Sequence, residues 1–189
     1  MKRKILSSIM ALVMIVSMLP FSVFAEEGDT WAESASTEWY TGDGDEYTIS
    51  SAADLAGLAQ LVNGGTSFQK KTIKLGENID LEGKEWTPIG RNGKPFQGTF
   101  DGQGNTISNL KITGNSSDVG LFGFTTGGEI KDFTLNNAQV EGYLDVGAVA
   151  GTPHTSKYTN INVTGLIQID GYSYAVSYTH LRAHETLRH

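Results

Sequence analysis

Four aspartates, Asp101, Asp118, Asp132 and Asp145, are the residues of this chain best suited to do chemistry. Paired carboxylates on one face of a sheet can act as acid and base in glycoside hydrolysis or hold calcium through oxygen ligands. Each also has a plainer role. Asp101-Gly-Gln-Gly104 reads first as a turn, and Asp118 and Asp145 recur at equivalent places in two similar segments, Asp118–Gly123 and Asp145–Gly151. A residue repeated in step with the chain is expected to serve the architecture.

Other constellations are weaker. Asp43-Gly-Asp-Glu46 offers oxygen ligands but lacks the remaining spacing of an EF-hand loop, so a solvated acidic loop is expected. Gly102-Gln-Gly104 has no third glycine opening a helix, as a dinucleotide fingerprint requires. His184-Glu185 followed by His189 has histidines five apart, whereas a zinc-protease helix needs them four apart on one face. His154 has no Ser or Cys nucleophile signature near it and reads as a loop residue. Trp31, Trp39, Tyr40 and Trp86 could stack on sugars if exposed. Trp86, beside Pro88, is expected to pack inward instead. No catalytic, cofactor-binding or metal-ligating residue is assigned, and no cofactor is expected.

The elements that position these residues are short. Tyr47-Thr48-Ile49 is a strand candidate. Ser51, with Asp54 three residues on, fits a helix-capping box. Ala52, Leu55, Leu58, Ala59 and Val62 then recur at helical spacing until Asn63-Gly64-Gly65 ends the run. From there the period is two, in Thr72–Leu75 and Asn78–Leu81, and glycines punctuate short apolar runs down to Gly171. Ile107-x-x-Leu110-x-Ile112 matches Ile130-x-x-Phe133-x-Leu135 and, more weakly, Tyr158-x-x-Ile161-x-Val163, so the pattern restarts at positions 107, 130 and 158. Periods of roughly 20–30 residues built from short strands and glycine turns signal stacked repeats that share one core. The expected fold is all-β, a right-handed parallel β-helix with the helix capping its N-terminal end. A β-sandwich is the alternative.

Both ends differ in kind from the middle. Lys2-Arg3-Lys4, an apolar run from Ile5 to Leu19 and the small-residue site ending at Ala25 have the layout of a secretory signal peptide over residues 1–25. Residues 26–46 form an acidic leader, expected to be loose and to dock onto the domain. Residues 47–175 carry the repeats. Residues 176–189 resemble a translated sequencing-library adapter, so the natural protein is expected to continue past about Ala175.

Of 189 residues, 39% are hydrophobic and 19% charged, which excludes global disorder. There is no cysteine, which excludes disulfides and thiolate chemistry. Setting aside Lys2, Arg3, Lys4, Arg182, Arg188 and Glu185 leaves 9 Lys+Arg against 20 Asp+Glu in residues 26–175, a net charge of −11. That balance opposes binding to nucleic acid or anionic lipid.

The residues from Tyr47 to Tyr172 resemble bacterial surface proteins that carry GLUG motifs. The resemblance rests on Ile49-x-Ser-Ala-x-Asp-Leu-Ala-x-Leu-Ala59, Ile73-x-Leu-x-x-Asn-Ile-Asp-Leu81, Trp86–Gly90, Phe96–Gly104 and Val119–Gly123. It implies a secreted or wall-attached, adhesin-like repeat region of the kind also found beside immunoglobulin A-cleaving metallopeptidases. Host or cell-wall glycans or matrix proteins are the partners it suggests. No nucleic-acid partner is expected, and no membrane insertion after signal cleavage. The second reading is the N-terminal part of a polysaccharide-active β-helix enzyme or of a surface metallopeptidase. The family is defined by a structural repeat and carries over no catalytic residue. At 148–150, Ala-Val-Ala replaces the Leu-Phe of 121–122, which implies a smaller inward volume there.

Overall fold

A computed structural model describes residues 29–176 and 180–181. The expected signal peptide lies outside the described residues, as does most of the 176–189 tail with its His184-Glu185-His189 sequence. The element order is β1 (Glu46–Ile49), α1 (Ala52–Gly64), β2 (Thr72–Leu75), β3 (Ile79–Asp80), β4 (Thr99–Asp101), β5 (Thr106–Ile112), β6 (Phe122–Thr126), β7 (Glu129–Gly147), β8 (Ala150–His154), β9 (Lys157–Val176) and β10 (His180–Leu181).

The protein is predominantly strand, and its named strands pair in parallel except for β10, which runs antiparallel to β9. A sandwich calls for antiparallel neighbours. Here the chain returns beside itself in the same direction on each pass. Tyr47 pairs with Ile73, Ile73 with Phe100, Phe100 with Ile130 and Ile130 with Tyr158. A second column runs Ile79, Ile107, Leu135, Val163. A third joins Phe122 to Ala150, so the Ala-Val-Ala segment faces the position of a phenylalanine.

These registers correct one reading of the repeat. Ile107 stacks on Leu135 and not on Ile130, the residue that its sequence pattern matches. Ile130 instead joins Phe100 and Tyr158. The matching apolar patterns at Ile107 and Ile130 therefore lie in two different columns of paired strands. Tyr158 and Ile130, and likewise Val146 and Val119, match in sequence and are true lateral neighbours.

Side chains facing inward at these positions merge into one core. Ring contacts run through it from Trp39 to Phe68, Phe96, Phe122, Phe100 and Phe133, with centroids 5.2–6.3 Å apart. Such pairs add about 0.5–1.5 kcal/mol each beyond area burial.

The helix forms where the residue spacing predicts. Ser51 is its N-cap, accepting from the Asp54 amide at 3.1 Å. The reciprocal bond is donated to the Asp54 carboxylate by the Ser50 amide, one residue before the usual capping-box position. Gly65, at φ 120°, closes the helix with its N–H on the Leu61 and Val62 carbonyls. The leader is packed, not loose. Ser36 N–H donates to the Ala53 carbonyl at 2.9 Å, and Trp31 Nε1 donates to the Leu81 carbonyl at 2.8 Å. Gly57 permits this contact, because a Cβ there would lie 1.7 Å from the Ser36 carbonyl oxygen. The helix is therefore buried both against the strands and beneath the leader, which explains why Ala52, Leu55, Ala56, Gly57, Leu58, Ala59 and Val62 are all buried.

Candidate functional site

Each of the four aspartates sits where the backbone changes direction. Asp118, Asp132 and Asp145 adopt left-handed conformations, with φ of 57°, 57° and 53°. Asp and Asn tolerate this region better than other residues with a side chain. Asp101 ends β4, and its carboxylate accepts the Gln103 amide at 3.0 Å, the hydrogen bond that closes the Asp101–Gly104 turn.

Two of the aspartates are brought together. Lys131 Nζ lies 2.8 Å from Asp101 and 3.1 Å from Asp132, and Asn160 Nδ2 donates to Asp132 Oδ1 at 2.7 Å. Burial raises the pKa of Asp101. The Lys131 hydrogen bond and the Gln103 N–H outweigh it, so the carboxyl sits below its ordinary value. Lys131 is raised by its bonds to Asp101 and then Asp132, and remains charged across the physiological range. This corner is a satisfied ion cluster that ties three successive passes of the chain together. An acid–base pair needs two carboxylates held apart around a substrate with differing proton affinities.

The other pair is also engaged in the architecture. Thr152 Oγ1 donates to the Asp118 carboxylate, and Val119 N–H donates to the Asp145 carbonyl at 3.1 Å. Among the described residues no group of three or more His, Asp or Glu side chains is arranged to hold a metal ion.

In the 43–46 loop, Thr41 donates to Asp43 at 2.5 Å, and that bond is the leading cause of the lowered Asp43 pKa. The Lys71 ammonium donates to the Gly42 carbonyl at 3.2 Å and to the Gly44 carbonyl, so the loop already holds a cation of the chain itself. His154 is exposed and ends β8, paired with Thr126, so it belongs to a strand and not to a loop.

The tryptophans are not sugar platforms standing in solvent. Trp86 is buried, with Nε1 donating to the Leu121 carbonyl at 3.2 Å. Trp31 is buried under Lys84, whose ammonium lies 4.7 Å from the ring centroid. The two indoles line a mainly apolar cleft of about 340 Å³ between the leader and α1.

The residues the sequence reading passed over are asparagines. Asn109, Asn137 and Asn160 all have positive φ, at 59°, 57° and 52°. Asn137 Nδ2 donates to Asn109 Oδ1 at 3.2 Å, and Asn109 Nδ2 donates to Asp80 Oδ1 at 2.8 Å. This makes a ladder of side-chain amides, one step per pass of the chain. Asn160 belongs to the other column, where it bonds Asp132 and where both stand at the third position of their matched segments, a signal the sequence carries; Asn137 lies outside the matched segments and no such signal marks it.

Three comparisons bear on this architecture. The chain is similar to halomucin of Haloquadratum walsbyi, at 36% identity over 151 residues, or 71% of this chain. It spans about 2% of that relative's length. No family model matches the chain, and no solved structure matches it. Among the described residues no helix is long and apolar enough to cross a membrane.

Proposed function

We propose that the chain is a stacking repeat module of a secreted or surface-displayed protein, folded as a right-handed parallel β-helix whose first turn is covered by α1 and the leader. Its role in this reading is structural or adhesive, without catalysis. The observation that carries it is the parallel register recurring on every pass of the chain, with apolar residues buried inside and corner side chains bonded from one pass to the next. Such a fold gains core and corner bonds with each added turn, which suits a rod that presents a long face.

Three further features support the reading. The sequence opens with the basic, apolar and small-residue segments of an export signal. The middle resembles GLUG-motif surface proteins. The similarity to a stretch of a very long protein named halomucin fits one module among many. Glycans or matrix proteins are the partners that would meet such a face.

Export is tested by expressing the full chain in a bacterial host and separating cytoplasm from medium and cell surface. Recovery outside the cytoplasm, with a new N-terminus at Glu26, is expected. Retention in the cytoplasm with the N-terminus intact overturns the reading.

A further inference from the structure

A shallow groove of about 310 Å³ crosses β5, β7 and β9. Lys111 pairs with Gln139, and Gln139 with Gln168, so one long polar side chain stands on each strand, in register. Neighbouring strands lie about 4.8 Å apart. Asn109 and Asn137, stacked at the adjoining corner, also line the groove.

Leu166 completes it, and the fold places this residue there by a local irregularity. Between Asn136 and Ala138 the β7–β9 register shifts, because β9 contains one additional residue. Gly165, at φ 77°, turns the chain, and Leu166 N–H donates to Asn137 Oδ1 at 2.9 Å. The side chain is left 77% exposed. An apolar side chain beside a row of amides matches a ring that has both C–H faces and hydroxyl edges.

Charge narrows the ligand. No carboxylate lines the groove, so a polycation finds no partner in it. Three acidic residues adjoining the lining are already engaged, Asp80 accepting from Asn109, Asp170 from Gln168, and Glu85, the bridge neighbour of Lys111, from the Thr113 amide and hydroxyl. The surrounding chain carries a net −11 over residues 26–175, which repels a polyanion. An extended peptide docks by pairing along a strand edge. This groove instead runs across strands, two of which, β5 and β7, are paired on both sides.

The geometry points to this groove as a binding site for an uncharged linear polysaccharide lying across the strands, with Lys111, Gln139 and Gln168 bonded to hydroxyls of successive units and Leu166 against a ring face. The inference rests on the surface-module reading and names the ligand class of that surface.

The test is native electrophoresis of the full chain through gels containing soluble β-glucan or galactomannan, with polygalacturonate and chitosan oligomers as charged counterparts. Retardation by a neutral polymer is expected. Each of Lys111→Ala, Gln139→Ala and Gln168→Ala should weaken it about three- to tenfold, and the triple variant on the order of 100-fold. Lys70→Ala, away from the groove, should leave it unchanged. All four positions lie outside the core, and unchanged circular dichroism checks that the variants fold. No retardation by any neutral polymer, retardation only by a charged one, or retardation indifferent to the triple variant overturns the groove assignment. An exported protein that fails on the gels refutes the groove alone. A protein retained in the cytoplasm refutes the module reading whatever the gels show.

Discussion

Asn137 and Asn109 occupy the same corner on successive passes of the chain, share a left-handed backbone conformation, and are joined by a side-chain hydrogen bond of 3.2 Å. Each holds a corner that most residues would strain to adopt, and each passes a bond to the corner before it. Asn137 also receives the Leu166 N–H, so one side chain serves three passes of the chain.

Asn137→Ala therefore combines backbone strain with the loss of both bonds, and roughly 1–3 kcal/mol of stability should disappear. Asn137→Gly accepts the conformation and loses only the bonds, so its deficit should be smaller. Urea titration of the two variants checks the order. An alanine variant no less stable than the glycine variant would show that the left-handed corner carries no strain.

Phe100 lies at the junction of the ring contacts, 5.2 Å from Phe122 and 5.8 Å from Phe133, and is fully buried. Phe100→Ala should cost about 3–5 kcal/mol. Phe100→Leu keeps most of the volume and should cost much less. Thermal melts of both decide whether packing in this column supports the whole domain.

Two glycines of α1 predict opposite outcomes. At Gly64 an added Cβ meets nothing within 4 Å, so Gly64→Ala should stabilise by up to about 1 kcal/mol through helix propensity. At Gly57 the same change drives a methyl into the Ser36 carbonyl. Gly57→Ala should destabilise the protein and free residues 29–45 for proteolysis. Limited digestion followed by mass spectrometry reads this directly. Equal digestion of wild type and Gly57→Ala would mean that the leader does not depend on the contact.

The Asp101–Lys131 pair gives a pH dependence of defined sign. The Asp101 carboxyl is lowered from 3.8 in the fold, so its contribution is present above that value and is lost as pH falls through the lowered one. Asp101→Asn should flatten the decline in stability below about pH 4. Lys131 is raised from 10.5, and its contribution is full below that value and lost only in strong alkali. Melting temperatures measured from pH 2 to 7 for wild type and variant test the acid limb. Superimposable limbs would remove Asp101 as a contributor.

The sequence shows the helix, its cap and the strands around Tyr47, Thr72 and Ile79 because local spacing and capping residues decide them. Which strand lies beside which was only partly legible. Ile107, Ile130 and Tyr158 carry the same pattern, and pattern alone cannot tell a second corner of one turn from the same corner of the next. The hydrogen-bond register makes that distinction, and it pairs Ile107 with Leu135. The burial of Trp31 was illegible for a related reason. Its partner is the Leu81 carbonyl, far along the chain, and no local rhythm announces it. Asp101 closes the turn that Asp101-Gly-Gln-Gly104 announces, and Asp118 and Asp145 serve the architecture as their repetition implies, whereas no local pattern marks the left-handed corner at Asp132 or the side-chain bonds of Asn109 and Asn137.

The parallel register that sets Ile107 beside Leu135 underlies the whole arrangement of strands, and the absence of cysteine from the chain makes a clean test possible. Thr106 and Thr134 are lateral neighbours on adjacent parallel strands, whereas Glu129, which the sequence pattern alone would set beside Thr106, pairs with Thr99. Strand neighbours lie within the roughly 4.4–6.8 Å Cα range that a disulfide spans. The measurement is oxidative cross-linking of two double variants, Thr106→Cys with Thr134→Cys and Thr106→Cys with Glu129→Cys. Efficient intramolecular cross-linking of the first pair and little of the second is the predicted result. The reverse would contradict the parallel register on which the proposed β-helix rests.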